Sequence, residues 1–325
     1  MNTIKLNVIG EMTSSAEGGG GGGNTPSGGE GVATIDLSSI GYDADDAKFV
    51  QDKAKDKIAY SKTLYDAWDA SRTSANNLYK GNTKLVYAPN IDTSNVTTMG
   101  SMFMNCSALT TIPQLNTSNV TDMGNMFSGC KALTFIPQLD TSSVTKMSSM
   151  FYYCSELTTI PQLDTSSVTD MGGMFNNCSK LTTIPQLDTS SVTKMSSMFY
   201  YCSKLTTIPQ LNTSNVTTMG SMFDNCSALT TIPQLNTSNV TDMGGMFNNC
   251  SALENLGGFV NCKVSLSLSN SSKLTHQSLM NVINNLYDLT ANGLSGQTLT
   301  LGSTNMAKLT ADEIAIATNK GWTIK

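Results

Sequence analysis

Charge is scarce in this sequence: Asp, Glu, Lys and Arg together make up 13% of its 325 residues, about half the usual share. The 19 basic side chains are outnumbered by 24 acidic ones, for a net charge of −5. No basic field is therefore available to hold nucleic acid, and no nucleic-acid partner is expected. Histidine is nearly missing. His276 stands alone in KLTHQSL with no nucleophilic serine or cysteine in a motif beside it, and it reads as a surface or capping residue. No catalytic residue is assigned, and an enzyme is not expected. No C-x-x-C occurs, which removes the usual zinc spacing, and no metal is expected. The glycine run at 18–23 lacks a following Gly-Lys-Ser/Thr, so it is no phosphate loop, and no cofactor is expected.

Long apolar runs are absent too. Nothing approaches the roughly 20 residues needed to span a bilayer, so no membrane insertion is expected. The opening MNTIKLNVIGEMTSS is broken by Lys5 and Asn7, which leaves no room for the apolar core of a signal peptide. The first cysteine is Cys106, so a lipid anchor on an amino-terminal cysteine is not expected. A protein made and folded in a cytoplasm is the expectation from these features.

What the sequence does have is a strict period. Seven units of 24 residues begin at Ile91, Leu115, Leu139, Leu163, Leu187, Leu211 and Leu235 and share the pattern (L/I)-(D/N)-T-S-x-V-T-x-M-x-x-M-F-x-x-C-x-x-L-x-x-I-P-Q, with only the last ending differently. A unit this short cannot bury its apolar face alone, so the fold class is a repeat solenoid with one continuous core. LTTIPQL reads as a short parallel strand with Leu and Ile inward. MFxxC reads as a single helical or 3₁₀ turn on the opposite wall. Stacking places like residues over one another, so Cys106, Cys130, Cys154, Cys178, Cys202, Cys226 and Cys250 form one internal column. These cysteines are expected to be free and to act as small buried hydrophobes, because parallel side chains in a seven-membered ladder suit neither disulfides nor zinc.

One column tests the stacking. The residue before the first Met runs Thr98, Asp122, Lys146, Asp170, Lys194, Thr218, Asp242, so charged neighbours always alternate in sign, as adjacent strands prefer. Asp140, Asp164 and Asp188 form a like-charged column. Local hydrogen bonds to backbone N–H groups are expected to offset that repulsion.

LNTSNVTDMGNMFSGCKALTFIPQ resembles the BspA-like leucine-rich repeat family, and the resemblance covers residues 91–258. It implies binding rather than catalysis, at a bacterial surface. The segment from Leu274 onward resembles the ending of repeat proteins of gut-bacterium bacteriophages. Together these resemblances imply a virion appendage, a tail fibre or spike subunit made in the host cytoplasm. Its partners would be other virion proteins, reached through the amino-terminal segment, and a bacterial surface glycan or protein. A bacterial adhesin and a ligand-free spacer are the alternatives. A homo-oligomer such as a trimer is compatible with the sequence without being required by it.

The chain divides into an attachment strand segment (1–17), a Gly/Ser-rich linker (18–31), a helical neck and cap (32–88), the solenoid (89–258) and a carboxy-terminal cap (259–325). In the neck, Ala47, Val50, Ala54, Ile58, Leu64 and Trp68 recur at helical spacing and Gly81 suits the stop. The tail predicts a strand, a helix over 277–287, a strand, a helix over 311–319 with a Thr310–Glu313 capping box, and a last strand. Units differ most at the two positions before Cys. Tyr152, Tyr153, Asn176, Asn177, Tyr200, Tyr201, Asp224 and Asn225 are the candidate ligand-binding residues, since Tyr rings beside amides suit sugars or a protein partner. The plain alternative is a solvated turn that tolerates any polar residue.

Overall fold

The computed structural model describes residues 4–7, 32–35, 64, 67–294 and 296–325. The units stack as a leucine-rich-repeat-like solenoid, with parallel bridges linking Thr98 to Asp122, Asp122 to Lys146, and so on to Asp242, one coil at a time. The arc Met-x-x-Met-Phe-x-x-Cys carries most of the backbone ladder. Alternate residues reach the next coil: Met99 N–H donates to Asp122 O at 2.9 Å, Ser101 to Gly124 O at 2.9 Å, Phe103 to Met126 O at 2.9 Å and Asn105 to Ser128 O at 2.6 Å. The residues between them close turns within their own coil, as when Met102 donates to Met99 O and Cys106 to Phe103 O. The arc is therefore a run of successive i→i+3 turns rather than the single helical or 3₁₀ turn expected for MFxxC. Its cause is a left-handed residue twice per unit, Ser101 (φ 58°) and Asn105 (φ 62°) in the first unit. Each reverses the local winding and aims an N–H along the stack.

The strand expected at LTTIPQL is mostly absent. Two-residue strands form there only at the end of the array: β3 (Thr231–Ile232) pairs β5 (Asn255–Leu256), and β4 (Leu235–Asn236) pairs β6 (Phe259–Val260), both in parallel. Proline explains the difference, since Pro113 and its counterparts remove a donor from six of the seven coils on this wall, while the last coil has Gly257 in that place and its N–H donates to Ile232 O at 2.9 Å, where the strands form. Glutamine side chains replace it. Gln114 Nε2 donates to Gln138 O at 2.6 Å, and the same bond recurs through Gln138, Gln162, Gln186 and Gln210.

Inside, the fixed apolar columns are buried. From Phe103 to Phe223 the rings stack at centroid distances of 5.6 to 5.7 Å with planes within 8° of parallel, an offset arrangement that adds about 0.5–1.5 kcal/mol per pair beyond burial. The seven cysteines of the array, and Cys262, are buried and free. Each array thiol donates to a carbonyl of the preceding coil, Cys130 Sγ to Phe103 O at 3.1 Å and Cys154 Sγ to Phe127 O at 3.2 Å. Cysteine thus fits a small apolar slot that also contains an acceptor. Burial pushes these thiols up, Cys106 to about 11 and Cys250 to about 12, and Cys154, Cys202 and Cys226 well above the ordinary range.

The helix expected to run to Gly81 is not what the residues from 67 onward form. Residues 67–90 make a degenerate coil ahead of the seven regular ones. Ser74 bridges Thr98, Tyr79 N–H donates to Met102 O at 2.8 Å, and the Tyr79 ring stacks on Phe103 at 5.5 Å. Leu85 and Ala88 are buried where regular coils place Leu and Ile. The expected amino-terminal strand is present as β1 (Ile4–Asn7), and it pairs antiparallel with β2 (Val32–Ile35). The linker at 18–31 and most of the helical pattern from Ala47 to Leu64 lie outside the described residues.

The tail closes the stack with β7 (Leu266–Ser267), α1 (His276–Asn284), β8 (Thr298–Thr300), α2 (Gly302–Met306), α3 (Ala311–Asn319) and β9 (Thr323–Ile324). β7, β8 and β9 form a parallel sheet in that order. The first helix ends three residues earlier than expected, at Asn284 with Asn285 as its cap, and α2 was not foreseen. The Thr310–Glu313 capping box forms. α1 is tied to the last coil where Ser278 Oγ donates to Glu254 O at 2.9 Å.

Candidate binding surface

The charged columns are structural. Lys146 lies 3.7 Å from Asp122 and Lys194 lies 3.8 Å from Asp170, each Lys reaching back to the preceding coil. Asp122 Oδ1 also accepts from Gly124 N–H at 2.9 Å, so the carboxylate closes a turn as well. In the like-charged column, Ser142 donates from N and Oγ to Asp140 Oδ1 at 3.1 and 2.7 Å, and Ser166 does the same to Asp164. The serine hydroxyl, then the serine N–H, hold Asp140, Asp164 and Asp188 below the usual carboxylate range. Among the described residues no group of three or more His, Cys, Asp or Glu side chains is placed to hold a metal ion. His276 Nε2 is 2.8 Å from Glu313 Oε1, which joins the starts of α1 and α3.

All eight candidate residues fall on one strip of the turn wall, two per coil over four successive coils. Backbone bonds fix their order: Tyr153 N–H donates to Asn176 O at 2.7 Å, Asn177 to Tyr200 O at 2.7 Å, and Tyr201 to Asp224 O at 2.8 Å. Side chains add lateral bonds, with Asn177 Nδ2 to Asn176 Oδ1 and Asn225 Nδ2 to Asp224 Oδ1, both at 2.6 Å. Tyr152 and Tyr153 pack with centroids 4.9 Å apart, and Tyr200 and Tyr201 at 5.1 Å. In each pair the first ring is half-buried and the second exposed, Tyr153 at 40% and Tyr201 at 44%. Partial desolvation, then Asp224 and the three neighbouring phenols, push the Tyr200 hydroxyl above its ordinary value.

The position before Cys is left-handed in every unit. Asn105, Asn177, Asn225 and Asn249 have φ from 56° to 62°, and Gly129 has 78°. Asparagine and glycine are the residues that tolerate this region. Tyr153 (φ 58°) and Tyr201 (φ 57°) break the rule. A bulky side chain there costs about 1–2 kcal/mol relative to relaxed backbone. The recurrence of Asn and Gly before Cys was the sequence signal for this conformation, and the tyrosines are its two exceptions.

The family model described as "Mycoplasma protein of unknown function, DUF285" matches residues 72–183, 134–207 and 179–272. The chain belongs to this family. Together the three overlapping matches run from residue 72, inside the degenerate coil, to residue 272, ahead of the first tail helix. Among solved structures, a leucine-rich repeat protein of T. pallidum is similar at 21% identity and a TM-score of 0.39, covering 51% of this chain and 76% of its own. A leucine-rich cell surface protein of Faecalibacterium prausnitzii is similar at 20% identity and a TM-score of 0.34, covering 77% and 81%. No curated protein matches the chain.

Proposed function

We propose that the protein is a non-enzymatic recognition scaffold of a bacterial surface, in which the solenoid holds the Tyr–Asn strip toward a macromolecular ligand. One observation carries this reading: two exposed tyrosines occupy left-handed positions that five sister coils give to Asn or Gly. A spacer without a ligand would be more stable with asparagine at both. The reading as a binder rather than an enzyme is supported by the state of the reactive groups. The single histidine is engaged by Glu313, and the thiols are buried and held protonated. The motif resemblance to BspA-like proteins supports placement at a cell surface. The bacteriophage appendage expected from the tail draws no support from the family and structures matched, and the surface adhesin reading replaces it.

The test is attachment of the labelled chain to a panel of bacterial and host cells. Wild-type protein is expected to bind at least one cell type. A variant with Tyr152, Tyr153, Tyr200 and Tyr201 all replaced by Asn is expected to lose attachment while keeping its circular dichroism spectrum. Equal attachment by both proteins, or none by either, overturns the reading.

A further inference from the structure

Resting on that reading, the geometry points to the ligand class: we propose that the strip binds an extended, β-linked pyranose chain laid along the stack, with Tyr152–Tyr153 and Tyr200–Tyr201 as platforms under alternate sugars. The first reason is chemical. The strip offers flat aromatic faces and side-chain amides with no exposed aliphatic anchor, and pyranoses present an apolar C–H face with equatorial hydroxyls around it. Asn176, between the platforms, accepts from Asn177 through Oδ1, which leaves its Nδ2 donors for a ligand hydroxyl. Asp224 follows the second platform and accepts from Asn225 through Oδ1 and from Asn248 through Oδ2. A carboxylate in the strip disfavours phosphate- or sulfate-bearing chains and admits neutral or N-acetylated sugars.

The second reason is spacing. Like rings of successive coils recur at 5.7 Å just inside this wall, so the two platforms, two coils apart, sit about 11 Å from each other with one coil between them. An extended β-linked pyranose chain advances by about one coil per sugar and turns over at each linkage, so every second ring presents the same face. Sugars one and three then meet tyrosine, and sugar two meets the Asn176–Asn177 amides. An extended peptide fits the strip poorly, because its same-face side chains recur every 6.6 to 6.8 Å or so, between coils rather than on them. The backbone conformation supplies the third reason. Of the residues before Cys, only Tyr153 and Tyr201 are neither Asn nor Gly, and both belong to the platforms.

The experiment is calorimetric titration of the full chain with cello- and chito-oligosaccharides, from disaccharide to hexasaccharide, beside the cell-attachment assay. Affinity for at least one series is expected to rise about tenfold or more between disaccharide and tetrasaccharide as the second platform engages. Tyr153→Asn and Tyr201→Asn are each expected to abolish that rise. Both should also raise the melting midpoint, because Asn suits the left-handed backbone, so lost binding cannot be put down to lost folding. Absence of binding in both series, affinity independent of chain length, or equal affinity in the variants overturns the glycan assignment. If the four-tyrosine variant nevertheless loses cell attachment, a protein ligand is indicated and the recognition reading stands. If it keeps attachment, both fall.

Discussion

Raising the pH should unfold this protein steeply, because its buried thiols ionise only once the chain is open. All eight cysteines are free and buried, and burial lifts each from the ordinary thiol value of 9.0, Cys106 and Cys262 to about 11 and the central ones higher. The folded-state value thus exceeds the unfolded one. Stability is complete below pH 9 and declines as the pH climbs toward the folded value, since the unfolded chain sheds protons that the native state retains. Far enough above 9, the loss approaches about 1.4 kcal/mol per thiol per pH unit. At pH 9.5 it is about 1 kcal/mol per thiol, or on the order of 5–7 kcal/mol for the set, comparable with the roughly 5–15 kcal/mol of a whole domain. Urea titrations followed by far-ultraviolet circular dichroism at pH 7.5, 8.5 and 9.5, with reductant present, would measure it. Replacing Cys154, Cys178 and Cys202 together by Ala removes three of the eight groups and should shrink the pH-dependent loss in proportion. An unchanged loss in that variant, or native thiols as reactive toward a disulfide reagent as denatured ones, would refute the reasoning.

Three further outcomes are expected. Phe175→Ala removes a buried ring stacked at 5.7 Å on both Phe151 and Phe199 and should cost about 3–5 kcal/mol in urea unfolding, and a loss near zero would mean that the column does not hold the stack. Tyr201→Asn should stabilise the fold by about 1 kcal/mol, read as a higher melting midpoint, and a lower midpoint would show that the ring's packing outweighs the backbone term. Lys194→Glu sets like charges against Asp170, now 3.8 Å from Lys194. It should lower the melting midpoint slightly in dilute buffer and not at high salt, whereas a shift insensitive to salt would place its cause outside electrostatics.

Much of this fold can be read from the period alone. The buried columns, the free thiols, the alternating charges and the Thr310–Glu313 cap all follow from counting positions and asking what stacking requires. The degenerate coil hides because Ala75 and Asn82 stand where regular units have Met and Cys, while Trp68 extends a helical spacing from Ala47 that favours another element. Tyr79, Leu85 and Pro89 keep the 24-residue phase and are the signal that marks it. The backbone ladder was misplaced for a different reason. Leucine and isoleucine mark which side faces inward, but not which wall has N–H donors to spare, and proline decides against the Leu–Ile wall. The candidate strip was legible as a place of variation. The cost of two tyrosines in it depends on φ, which composition does not reveal.

The column of alternating Asp and Lys has a bearing on how such an array can change length. Loss of the single unit carrying Asp170 would bring Lys146 onto Lys194, and loss of the unit carrying Lys146 would bring Asp122 onto Asp170. Removing an adjacent pair restores the original order. The interior, identical from unit to unit, would accept either deletion. The outside of this protein therefore favours gain and loss in twos, a parity that its core does not impose, and the near-identical units bearing the tyrosine pairs, 48 residues apart, keep that same step.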